Sequence, residues 1–275
     1  MLRVYPERAV FTSEYINGLP IIVTIHRQKS AFKLSVSTDQ IRSSVVPVNY
    51  DNEHLTPYSF DVLMNDGEIY AEYALSHQSA IYRLKADKPV NIALSRLDGK
   101  VELDGNAIKG YQTVTDQTKV YVYMETSCAP SKAEVRSFGS HKTALLSFNE
   151  AEVGIRYGVS FISTEQAKEN LRREISDYDV AALAAKGRKI WNDALGRIDV
   201  SGGTEDQKTV FYTSYYRTFE RPVCMSEGGR YWSAFDNSVH EDGGVPFYTD
   251  DWIWDTYRAA HPLRIIMDRE VEEDI

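Results

Sequence analysis

Cysteine is scarce in this 275-residue chain: only Cys128 and Cys224 occur, far apart and with no histidine at metal-ligand spacing. That excludes a multi-disulfide scaffold and a Cys/His zinc site. Two free, partly buried thiols are expected, and a single disulfide between them stays open. Long apolar runs are also missing, so no membrane-spanning helix is expected. The N-terminus lacks the charged-then-apolar pattern of a secretion signal. Basic clusters are absent as well. With 31 Lys and Arg against 40 Asp and Glu, net charge −9, a nucleic-acid partner is not expected. Acidity by itself needs no reason beyond solubility. What is present is 43% hydrophobic residues, enough for a buried core, with 18 Tyr and 4 Trp, which suit a neutral polar ligand.

Aromatic and ionisable side chains interleave most densely from Phe247 to Pro262. Thr249 or Asp250 is positioned to cap a helix starting near Asp251, since a short oxygen side chain accepts from free first-turn N–H groups. Pro262 is expected to stop or kink it. On one helix, Trp254, Tyr257, Arg258 and His261 would share a face, and Asp255 would reach Arg258 three residues on. A platform of aromatics beside hydrogen-bonding groups fits a sugar, which has apolar C–H faces and hydroxyl edges. The composition fits equally a helix that buries Trp252 and Trp254 and satisfies Asp255 with Arg258.

From Met1 to about Ser163 the pattern is that of strands. Ile21–Ile25 is short and β-branched, and Phe32–Ser37 alternates apolar and polar. Asp66-Gly67, Asp98-Gly99 and Asp104-Gly105 offer the positive φ of tight hairpin turns. Lys119–Met124, Thr143–Phe148 and Val153–Phe161 are further strands. Many short strands with regular turn signals predict an antiparallel sandwich. The period changes at Ser163, where Ser163 and Gln166 read as a capping box. Asp179 caps a second helix with an apolar stripe from Val180 to Leu195. Thr204 and Gln207 form another box opening a helix to about Glu220, apolar nearly all round, as burial among neighbouring helices would require. Pro222 to Gly244 reads as loop.

Several of these stretches together resemble one family. Trp254-Asp255-Thr256-Tyr257-Arg258-Ala259-Ala260-His261-Pro262-Leu263 is similar to the signature of the family 92 glycoside hydrolases, calcium-dependent exo-acting α-mannosidases. Phe211–Phe219 resembles the family's first barrel helix, and Gly229-Arg230-Tyr231 with Phe235-Asp236 resembles the loop after it. Phe161–Ala167 and Trp191–Ile198 resemble its linker helices. The likeness is good from about Val153, fair from Ile69 and weak before that.

The resemblance implies a multidomain β + α protein: a β-sandwich over 1–163, linker helices over 164–200, and over 201–275 the first helices of an (α/α)6 barrel. It implies an inverting α-mannosidase acting on α-mannose-terminated glycans in the periplasm or outside the cell. The family's glycine-rich opening motif is missing and the chain stops early in the barrel, so a fragment is expected. On the family pattern, the catalytic acid and base and the Ca2+ ligands have no counterpart here. By the same resemblance Trp254 and Asp255 contact the terminal mannose, Asp236 is a weaker candidate for that pocket, and Arg258 positions Asp255. His261 reads as structural and His240 as solvated, and Glu227 is expected to matter little. Two other readings are a non-catalytic β-sandwich carbohydrate-binding module with a helical extension, and an unrelated helical-barrel glycosidase using aspartates of this segment.

Overall fold

The computed structural model describes residues 7–8, 12–25, 29–115, 117–249 and 251–275. The chain runs through β1 (Tyr15–Ile16), β2 (Leu19–Ile25), β3 (Lys29–Ser37), β4 (Val48–Leu55), β5 (Ser59–Met64), β6 (Ile69–Leu75) and β7 (Ser79–Ala86). It continues through β8 (Asn91–Arg96), β9 (Gly99–Asp104), β10 (Ala107–Thr115), β11 (Thr118–Thr126), β12 (Lys132–Phe138), β13 (His141–Ser147) and β14 (Glu152–Ser160). All pair antiparallel. One sheet has the order β1-β4-β5-β6-β7-β14-β11-β10-β9, the other β12-β13-β8-β3-β2. The sandwich expected from the alternating pattern is therefore present, and helices follow it.

The inner faces meet through residues spaced by two, as a pleated strand requires. Along β14, Val153, Ile155, Tyr157 and Val159 are fully buried. Tyr73, Tyr82 and Tyr157 form an aromatic row between the sheets, with ring centroids 4.5 and 6.2 Å apart. Their polar ends are satisfied where it matters: Tyr157 donates to the Ile21 carbonyl at 2.8 Å, across to the second sheet, and lies 3.2 Å from the Tyr73 hydroxyl. Burial pushes all three phenols well above their usual range.

Two Asp-Gly pairs make the hairpins they announce. Asp66 and Gly67 both take positive φ between β5 and β6, and Gly105 does so between β9 and β10. Asp98-Gly99 differs. It carries the chain from β8 in one sheet to β9 in the other, so it is no hairpin. Gly99 (φ 134°) lies so close to β10 that a Cβ would stand 2.1 Å from the Tyr111 carbonyl oxygen. The close approach, as well as the φ, demands glycine there.

Helices α1 (Thr164–Glu174) and α2 (Val180–Leu195) follow β14. Ser163 caps α1, accepting from the Gln166 N–H at 3.0 Å. The Gln166 amide donates to Asn170 at 3.0 Å, while the Ser163 N–H donates to the Ser160 hydroxyl, so the expected reciprocal box is rearranged. Asp179 caps the start of α2 through the Ala182 N–H, as read. Ala167, Leu171, Ile175, Val180 and Leu183 pack on the outer face of the nine-stranded sheet, against Ala74, Ile81, Ala107 and Tyr123. The chain divides into two compact units, residues 2–188 and 189–275. Of the residues expected as linker helices, 164–188 thus belong with the sandwich.

Candidate functional site

The unit 189–275 holds α3 (Glu205–Arg217), a hairpin of β15 (Arg230–Ser233) and β16 (Ser238–Glu241), and three short helices: α4 (Ile253–Thr256), α5 (Ala260–Met267) and α6 (Arg269–Asp274). Thr204 and Gln207 form the reciprocal capping box that opens α3. The helix ends at Arg217, three residues before the expected end, where the Thr218 hydroxyl donates to the Tyr215 carbonyl. Only Tyr215 of α3 is buried. Val210 is 66% exposed: the neighbouring helices that an apolar surface all round would suit are not supplied by the described residues.

The segment 222–244, expected as loop, contains the β15–β16 hairpin with Asn237 in the left-handed region at its turn. Tyr231 stacks between Phe247 at 3.9 Å and His240 at 5.5 Å. His240 is not simply solvated. Its Nε2 lies 2.8 Å from the Asp236 carboxylate and 2.9 Å from the Ser238 hydroxyl. Desolvation pushes the Asp236 carboxyl up, but bonds to His240, Ser238 and Ser233 outweigh it and hold it below its ordinary value. Phe235, next in sequence, is 93% exposed.

The aromatic signature does not form the continuous helix its spacing suggests. Asp250 lies outside the described residues. Thr249 accepts from the Val223 N–H instead of capping a helix. A single turn, α4, follows, with Trp252 at its start and no side-chain cap. Pro262 lies in the first turn of α5 rather than at a helix end. The first-turn N–H groups have no intrahelical acceptor, so a residue without one costs nothing there. Tyr257 and Arg258 fall between α4 and α5, and the expected shared face is broken. The Arg258 Nε donates to the Tyr257 hydroxyl at 2.6 Å, not to Asp255. Trp254 is 74% exposed, and the side chains of Asp255, Arg258 and Asp236 are exposed too. Among the described residues no hydrogen bond or ion pair joins any two of these four. Arg258 is held by Tyr257 and Asp236 by His240, while Trp254 and Asp255 make no side-chain hydrogen bond or ion pair among the described residues.

Below the turn lies a polar cluster that sequence spacing did not reveal. His261, with a side chain 18% exposed, sits between two carboxylates: Nδ1 is 2.5 Å from Glu272 and Nε2 is 3.2 Å from Asp251. The Asp251 Oδ2 and His261 Nε2 atoms of the latter pair are buried and are not aligned as a hydrogen bond. Arg264 donates to the Thr218 and Arg221 carbonyls beyond α3, at 3.1 and 2.5 Å, and lies 3.5 Å from Glu272. Arg221 in turn lies over the Trp252 ring at 4.5 Å. No local spacing links positions 221, 251, 264 and 272. Only His261 carried a signal, and it was read as structural.

Residues 166–275 match the glycosyl hydrolase family 92 catalytic domain. The motif resemblance is borne out over that stretch. A family 92 inverting mannosidase from Bacteroides thetaiotaomicron superposes with a TM-score of 0.82 at 25% identity, over 92% of this chain and 39% of that one. A family 92 α-mannosidase of the same organism gives 0.83 at 20% identity, over 96% and 42%. The same α-mannosidase in complex with mannoimidazole also gives 0.83. This chain therefore spans about two fifths of the length of these mannosidases, covering a sandwich like theirs and the start of the helical barrel. No curated protein matches the chain in sequence.

Against the family 92 expectations, two further observations stand. Among the described residues no group of three or more His, Cys, Asp or Glu is disposed to hold a metal ion. Glu227, which the sequence reading set aside, is fully buried, and its backbone bridges to Arg230. Its replacement is not a silent control. Cys128 and Cys224 are free and part-buried, as expected. No described helix is long and apolar enough to cross a membrane.

Proposed function

We propose that this chain is the sugar-recognising part of an exo-acting, inverting α-mannosidase that trims α-mannose-terminated glycans. The observation that carries the reading is the α4 turn: Trp254 and Asp255 are exposed and bonded to no other side chain among the described residues, inside the stretch that matches family 92. Trp254 is 74% exposed, so its ring face is open to a ligand. The Trp254 ring offers an apolar surface to the C–H face of a mannose. The Asp255 carboxylate accepts from two sugar hydroxyls in charge-assisted bonds. Asp236, its carboxylate held ionised by His240, is a second acceptor for the same sugar, and Arg258 is an exposed cation held by the Tyr257 hydroxyl.

Proton transfer is not assigned to these residues. Inversion needs an acid and a base roughly 6.5–9.5 Å apart across the glycosidic bond, and no pair here is assigned those roles. In this reading they, and the ligands of the calcium that the resemblance implies, come from outside these residues. Positioning without acid and base accelerates little. The proposed location, periplasmic or extracellular, follows the glycan substrate. A β-sandwich binding module is the weaker reading, because the family match lies in the catalytic domain and not in the sandwich. The test is turnover of an aryl α-mannoside by this chain, beside its binding of mannoimidazole. Binding without turnover is expected. Turnover well above background, or no binding, would overturn the reading.

A further inference from the structure

We propose that His261 is a positioning residue for the sugar-binding turn, acting through Asp251. This rests on the sugar site proposed at Trp254 and Asp255. The Asp251 carboxylate is used twice. Its Oδ1 accepts from the backbone N–H of Trp252 at 2.8 Å, and its Oδ2 faces His261 Nε2 at 3.2 Å. Trp252 is where α4 begins, and its carbonyl accepts both the Asp255 N–H at 2.8 Å and the Thr256 hydroxyl at 3.2 Å. A chain of contacts thus runs from His261 through Asp251 to the peptide that sets the direction of Asp255.

The other end is anchored. Glu272 on α6 holds His261 Nδ1, and the Arg264 guanidinium lies 3.5 Å from the same carboxylate. The Asp251 and His261 side chains are 9% and 18% exposed, so water screens the pair little. The turn itself has no such support. Its helix is four residues long without a side-chain cap, and Ile253 and Trp254 face solvent. A turn that short does not hold its shape by its own hydrogen bonds. The Asp251–His261 contact, together with Arg221 over Trp252, ties it to α5 and to the segment after α3.

The experiment compares wild type with His261→Ala and His261→Gln in two readouts: amide hydrogen exchange over residues 251–257, and affinity for mannoimidazole. His261→Ala is expected to speed exchange in that segment while leaving β14 unchanged, and to weaken binding by about tenfold or more. His261→Gln, which keeps one N–H donor, is expected to recover part of both. Unchanged exchange in His261→Ala overturns the proposal whatever the sugar does. Faster exchange with unchanged affinity overturns the positioning role. If wild type binds no mannoimidazole, the sugar site fails, and exchange alone decides whether the tie exists. Should His261→Ala not fold, Asp251→Asn, which removes charge but little volume, makes the same comparison.

Discussion

Gly158 of β14 and Ala167 of α1 meet backbone to backbone: a Cβ on Gly158 would stand 2.1 Å from the Ala167 carbonyl oxygen. The same face of β14 carries Gly154, where a Cβ would meet the Tyr178 ring at 2.9 Å. Between them Arg156 pairs with Glu125 at 2.8 Å and donates to the Ser176 carbonyl. Glycine at 158 is what lets α1 lie close on the sheet, and glycine at 154 makes room for the Tyr178 ring. Gly158→Ala should therefore push the helix off and destabilise the sandwich by about 1–3 kcal/mol, the usual cost of overpacking. A denaturant titration of the whole chain measures it. A loss below a few tenths of a kcal/mol would mean the helix shifts freely.

In an enzyme of the mannosidases' full length containing this segment, Asp255→Ala should lower kcat/KM at least ~10²-fold, about 2.7 kcal/mol. The carboxylate bonds strengthen as the sugar ring flattens in the transition state. Because Asp255 is exposed and bonded to no side chain among the described residues, its loss should leave the melting temperature alone. Near-normal turnover would remove it from the site. Glu227→Ala, at a fully buried position, should lower stability instead.

The lowered pKa of Asp236 gives the β15–β16 hairpin a pH dependence. A carboxyl whose folded pKa lies below its ordinary 3.8 stabilises the fold above that value, and the contribution is lost as pH falls through the folded pKa. The hairpin should loosen on acidification below pH 3.8, not at the alkaline end. His240→Ala removes the strongest of the bonds that lower the pKa, so Asp236 should then titrate nearer 3.8. A side-chain NMR titration in both proteins decides it, and identical curves would assign the shift elsewhere.

Residues 189–275 expressed alone should self-associate. Val210, Ile253, Trp254, Ile265 and Ile266 are each more than half exposed, and apolar side chains left in water favour association. Sedimentation velocity reads this directly. A sharp, monomeric, cooperative melt of that piece would count against it.

The sequence by itself determined the order of architectures and most elements. The two-residue period before Ser163, the caps at Ser163, Asp179 and Thr204, and the turns at Gly67 and Gly105 are all local signals, set by backbone sterics and N–H groups within four residues. The hairpin at 230–241 was missed because its four-residue strands, Arg-Tyr-Trp-Ser and Ser-Val-His-Glu, are too short for alternation to show. The exposure of Trp254 and Asp255 was legible only as one of two equal readings, for a buried and a presented tryptophan have the same neighbours in sequence. Tertiary structure decided the rest. It broke the expected helix at Tyr257 and placed Pro262 in a first turn. It also brought Asp251, His261, Arg264 and Glu272 into one cluster. Those groups are drawn together by the need to satisfy charge away from water, and that pairing follows distance in space, which no spacing along the chain encodes.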